Sequence, residues 1–161
     1  MNEVLPQVVK MAPHFKMYHD KAQSRDVIHA LESALKRTEL LYGAVSEDRG
    51  GHRYAVGKWS IKEVLQHLSD CERIFAYRAL CFARQDPTAL PGFDEDLYGV
   101  MAMADRHPVA TILAEHCAVR QSTLALFASF DEAAFQRIGT AGSSTLSVHA
   151  QGLIIAGHAE H

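Results

Sequence analysis

Apolar residues recur every three or four positions along most of the chain and rarely alternate, which predicts helices and few strands. A first long helix is predicted from Ser24, read as its N-cap with Asp26 in the first turn. Val27, Leu31, Ala34, Leu35 and Leu41 keep helical spacing along it, and Gly43 is read as its stop. The second begins at the run Ser60-Ile61-Lys62-Glu63, whose spacing fits a capping box. Ile61, Val64, Leu65, Leu68, Cys71, Phe75 and Phe82 then form its apolar stripe. The polar stretch 84–99, with two prolines and two glycines, is predicted to be a long loop. Pro108 suits the first position of a third helix carrying Ile112, Leu113, Val119, Leu124 and Phe127. Asp131 is read as capping a short turn, 138–145 as extended or loop, and Ser147 as capping the last helix. Residues 1–23, broken by Pro6 and Pro13, read as an N-terminal arm or short helix. The expected fold is therefore all-α: one four-helix-bundle domain over 24–161, with long crossover loops.

Composition narrows the function. Of 161 residues, 48% are apolar and 22% charged, the balance of an ordinary globular domain. The net charge of −3, without a basic run, argues against nucleic acid as a partner. No stretch reaches the roughly 18–20 apolar residues of a membrane span, and the opening residues lack the apolar core of a signal peptide, so a cytoplasmic protein is expected. Cys71, Cys81 and Cys117 form no C-x-x-C pair, and Cys71 and Cys81 read as small core side chains.

Histidine is the unusual residue, with ten in the chain. His67 lies about 100° round its helix from Leu68, on the border of the buried face. The plain reading there is a satisfied rim residue. His158 follows Gln151, Ile154 and Ile155 at spacings of seven, four and three, on the apolar face, and His161 shares its side. Imidazoles so spaced can converge on one ion, and neutral imidazole is a good donor to zinc, nickel or iron; the plain alternative is a pair of solvated histidines near the end of a helix. Convergence would bring the ring tips of His67 and His158 within about 4 Å of each other. His116 and Arg120, four apart on the third helix, read as inward. Arg120 needs a carboxylate partner, with Glu63, Asp70, Glu72 or a loop aspartate as candidates, or else a substrate anion.

Three stretches taken together resemble the DinB/YfiT-like superfamily of metal-dependent proteins: "KWSIKEVLQHLSDCERIFAYR" (58–78), "PGFDEDLYG" (91–99) and "STLSVHAQGLIIAGHAEH" (144–161). Its marks are a Trp-Ser-x-x-Glu-x-x-x-His helix start and a Gly-His-x-x-His near the end. The resemblance implies a four-helix bundle, commonly homodimeric, with three histidines holding a divalent metal such as nickel or zinc at one end. It places His67 and His158 as ligands. The family's third ligand usually stands four residues after the second, a place this sequence does not reach; either the motif is cut short here or His161, at three, substitutes. Asp94 and Tyr98 match a stretch near the metal end and are implied as substrate contacts, with Arg120 a further substrate-binding candidate. Characterised relatives use bacillithiol, mycothiol or glutathione in S-transfer, or isomerise maleylpyruvate with mycothiol. The resemblance thus implies a small thiol or electrophile as partner and a metal-dependent, thiol S-transferase-like activity. The alternative is a non-catalytic dimeric bundle, or a stress-related ligand-binding protein, with a structural or vestigial metal.

Overall fold

The computed structural model describes residues 10–161. Four long helices form the bundle: α2 (Val27–Gly43), α4 (Ile61–Ala83), α6 (Val109–Ala128) and α8 (Val148–Ala159). Ahead of them lies α1 (Pro13–Lys21), and between them α3 (Glu47–Gly50), α5 (Glu95–Ala102) and α7 (Glu132–Gln136), with strands β1 (Ile138–Ala141) and β2 (Ser144–Ser147). Helices α2 and α4 each pack on both α6 and α8. The ring therefore runs α2–α6–α4–α8, with α2 and α4 on one diagonal and α6 and α8 on the other. Consecutive long helices on a diagonal need long crossings in place of tight turns, and residues 44–60 and 129–147 supply them.

Helix starts follow local hydrogen-bond chemistry. Ser60 and Glu63 make the reciprocal capping box: the serine hydroxyl accepts from the Glu63 amide at 3.1 Å, and the Glu63 carboxylate from the Ser60 amide at 2.8 Å. Ser147 caps α8 by accepting from the Ala150 amide at 3.0 Å, and Asp131 caps α7. Two starts fall later than the sequence predicts. Asp26, not Ser24, caps α2, because its carboxylate reaches the His29 amide at 2.8 Å while Ser24 only steadies the Asp26 amide. Pro108 is the N-cap of α6 and not its first residue.

The predicted loop 84–99 ends inside α5, whose N-cap is Asp94. The segment left as extended or loop is an antiparallel hairpin in which Ile138 pairs with Ser147 and Ala141 with Ser144. Leu41 and Val64, placed on apolar stripes by spacing, are exposed. The inward side of α6 carries His116, Arg120 and Thr123 between Ile112 and Phe127.

In the bundle interior Arg120 is fully buried and forked onto Glu72: Nε donates to Oε1 at 2.7 Å and a terminal nitrogen to Oε2 at 2.9 Å. Its other terminal nitrogen donates to the Leu31 carbonyl at 2.8 Å. Outside the ring, α1 lies along α8. The contact is so close that a Cβ at Gly157 would sit 1.7 Å from the Tyr18 carbonyl oxygen. Only glycine fits there. Among the described residues no helix is long and apolar enough to cross a membrane.

Candidate metal centre

His67 and His158 meet at one end of the bundle, where α4 and α8 lie side by side. Their Nε2 atoms are 3.2 Å apart. Two nitrogens each about 2.1 Å from a shared ion can be no more than about 4.2 Å apart, so the pair fits one ion between them. One turn along α4, the Cys71 sulfur lies 3.5 Å from both ring nitrogens of His67. One ligand atom from each of His67, Cys71 and His158 falls within 4.8 Å of the others. Two imidazoles and a thiol are donors that suit zinc and related divalent transition metals.

The surroundings hold the rings in place. Trp59 packs against His67 at 4.6 Å between ring centroids, and Tyr18 from α1 against His158 at 4.7 Å. Phe75, one turn beyond Cys71, stands 6.0 Å from the His158 ring. This apolar casing sets the charge state of the donors. Burial above all, then the neighbouring His67, pushes His158 down to about 3. Burial also lowers His67, against a weaker pull from Glu95 and Asp70. Both imidazoles are therefore neutral near pH 7, as ligands must be. Burial, then Glu95, pushes the Cys71 thiol up to about 12, so without a cation beside it the sulfur keeps its proton.

A cavity of about 390 Å³ opens beside the cluster, with His158 and Cys71 in its wall. Tyr18 and Phe15 close it from α1, Phe75 and Arg78 from α4, and Asp94 and Glu95 from the start of α5. A larger, mostly apolar cavity of about 630 Å³ lies beyond Trp59 and takes in the exposed Leu41 and Val64.

The structure sorts the residues singled out by sequence. His67 and His158 come together. His161 is exposed, its ring 5.4 Å from Tyr18, and is not one of the clustered donors. Asp94 caps α5 and lines the cavity, whereas Tyr98 stacks outside it, 5.4 Å from Phe93. Arg120 is committed to Glu72, one of the partners its burial called for. Cys71, read from spacing as a core residue, is buried and also the third clustered donor. The signal was available: Cys71 follows His67 by one helical turn on the same face. Arg78 was missed altogether.

A family model described as the DinB superfamily matches residues 30–161. No curated protein sequence matches significantly. Among solved structures the chain is similar to YfiT from Bacillus subtilis, described as a probable metal-dependent hydrolase with an unusual four-helix bundle topology. That match has a TM-score of 0.75 at 16% identity and covers 84% of this chain and 78% of the other. It is also similar to a mycothiol-dependent maleylpyruvate isomerase, with a TM-score of 0.71 at 9% identity, covering 89% of this chain but only 60% of the isomerase. At these identities the likeness is one of fold.

Proposed function

Because the chain belongs to the DinB superfamily and its fold brings two imidazoles and a thiol to one point, we propose that it binds a divalent transition metal and catalyses thiol-dependent transfer on a small molecule. The observation that carries this is the 3.2 Å approach of His67 to His158, 91 residues apart in sequence. Zinc, nickel or a similar ion suits the donor set.

His67 and His158 would hold the ion, with Cys71 the third donor within reach. When bound, such an ion lowers the pKa of a coordinated thiol or water, supplying a nucleophile near neutral pH. Trp59 and Tyr18 keep the imidazoles from rotating away and exclude water from two sides. Glu95, on the cavity wall, lies where it can hold a proton released beside the site. A mycothiol-dependent relative in fold supports a thiol as one partner, and a cavity of about 390 Å³ has room for a small one.

Free thiols at Cys71, Cys81 and Cys117 fit a reducing, cytoplasmic setting. Exposed Leu40, Leu41, Val100 and Met101 supply apolar surface for a homodimer, which size-exclusion chromatography with light scattering tests.

Elemental analysis of protein purified without chelator should find close to one transition metal per chain. Thiol transfer with one of several low-molecular-weight thiols should then be lost on chelation and restored by zinc or nickel. Protein that takes up neither ion sinks the proposal, and protein that binds metal but turns over no thiol reduces it to a binding module.

A further inference from the structure

Arg78 is a buried cation. It is only 4% exposed, yet among the described residues no carboxylate lies within ion-pair distance of it. Among the described residues its one side-chain hydrogen bond runs from a terminal nitrogen to the Pro91 carbonyl at 2.9 Å. A guanidinium carries five N–H donors, so most of its capacity is unspent. Burying such a group without a partner is costly, and an anionic ligand would offset that cost. The guanidinium lies beside a pair of rings, its carbon 5.6 Å from the centre of Phe75 and 5.7 Å from that of Phe93, which are themselves 6.4 Å apart. That contact on one flank narrows the positions open to the fork, which favours two-pronged recognition of a planar anion.

Arg78 lies on the wall of the 390 Å³ cavity that also contains His158 and Cys71. Arg120, by contrast, has its two carboxylate bonds made internally and faces no open cavity. The charge of the same wall narrows the anion. Asp94 and Glu95 stand on it too, and their repulsion is about twice as large for a dianion such as phosphate as for a single carboxylate, whose one charge the guanidinium matches.

We propose that Arg78 is the anchor of a carboxylate-binding subsite, and that the small thiol taken up beside His67 and His158 carries a carboxylate which docks on it. The identity of the ligand as a thiol rests on the function proposed above; the carboxylate subsite does not. Arg78 acts here by binding and positioning, and no bond is made or broken at it.

Calorimetric titration of the full chain, zinc-loaded and zinc-free, tests this with mercaptoacetate, its neutral methyl ester, acetate and inorganic phosphate. Zinc-loaded wild type should bind mercaptoacetate at least about tenfold more tightly than the ester, the scale of one charge-assisted pair. Arg78→Met keeps an apolar stem against the two rings and should erase that preference, while Arg78→Lys retains part of it. Both variants should keep the zinc stoichiometry and a cooperative melt. The inference is overturned if wild type does not distinguish acid from ester, if Arg78→Met still does, or if phosphate displaces mercaptoacetate more readily than acetate does. It is equally overturned if the preference disappears only in variants that no longer melt cooperatively. Should the chain bind no zinc yet take up acetate in an Arg78-dependent way, the subsite stands and the metal reading falls.

Discussion

Two buried polar clusters lie within one bundle, and they are built differently. At its centre Arg120, Glu72 and the Leu31 carbonyl satisfy one another, and nothing nearby is open to a ligand. At its mouth His67, His158, Cys71 and Arg78 crowd one another or hold donors to spare, beside an open cavity. Burial alone does not separate structure from function, since both sets are largely removed from water. Completion does. A closed cluster holds the fold, and an incomplete one next to a cavity waits for a ligand.

The contrast can be broken most directly at its closed half. Arg120→Met strands the Glu72 carboxylate in the interior and should cost about 3–5 kcal/mol in urea unfolding, with most of it recovered when Glu72→Leu is added. A single variant losing less than about 1 kcal/mol would place the pair on a par with surface ion pairs.

His116, one turn from Arg120, is an exception in the interior, its buried Nε2 without a partner among the described residues, and pH tests it. Burial pushes it down to about 4 from the ordinary 6.5. The folded state therefore binds fewer protons than the unfolded one, and stability falls as pH drops from 6.5 toward about 4. Thermal melts of His116→Gln should show a shallower fall across that window, by at most about 3 kcal/mol. Parallel curves for the two proteins would remove His116 from the account.

At the open half the direction reverses, and the ligand adds stability. Zinc at about a hundred times its dissociation constant should add about 2.7 kcal/mol to wild type, seen as a rise in melting temperature. His67→Ala and His158→Ala should lose that rise while His67→Ala still folds. A rise that persists in both variants puts the metal elsewhere.

Cys71→Ala should weaken zinc roughly tenfold or more, about 1.4 kcal/mol, and a variant that binds as tightly as wild type returns Cys71 to the core. His161→Gln should be the mildest change, leaving zinc affinity within about twofold, inside the about 0.5 kcal/mol of a surface substitution. A loss as large as that of His67→Ala would bring His161 into the ligand set.

Periodicity carried most of the bundle. The four long helices, the Ser60 and Ser147 caps and the inward lean of His158 are local consequences of residue order. It failed where tertiary contacts decide. Leu41 and Val64 keep the spacing of buried residues but face the larger cavity, and the side of α6 turned inward is partly polar because Glu72 waits across the interior. The site divides in the same way. Two of its donors could be placed from helix spacing, and Cys71 stood one turn from His67 on the same face, but it read as a small core residue because only tertiary packing brings His158 of α8 beside it. Arg78 could not be distinguished from a solvated arginine, since what marks it is the lack of a partner, and partners are set by packing.

The missing side chain at position 157 decides where the molecule can be cut. With nothing projecting there, the segment before α2 nests against α8, and Tyr18 and Phe15 complete the chamber next to His158. A clone begun at Asp26, the N-cap of α2, would retain all four long helices and all three donors. It would also leave His158 open to bulk water on one flank, so such a fragment should fold and chelate yet hold its small molecule poorly.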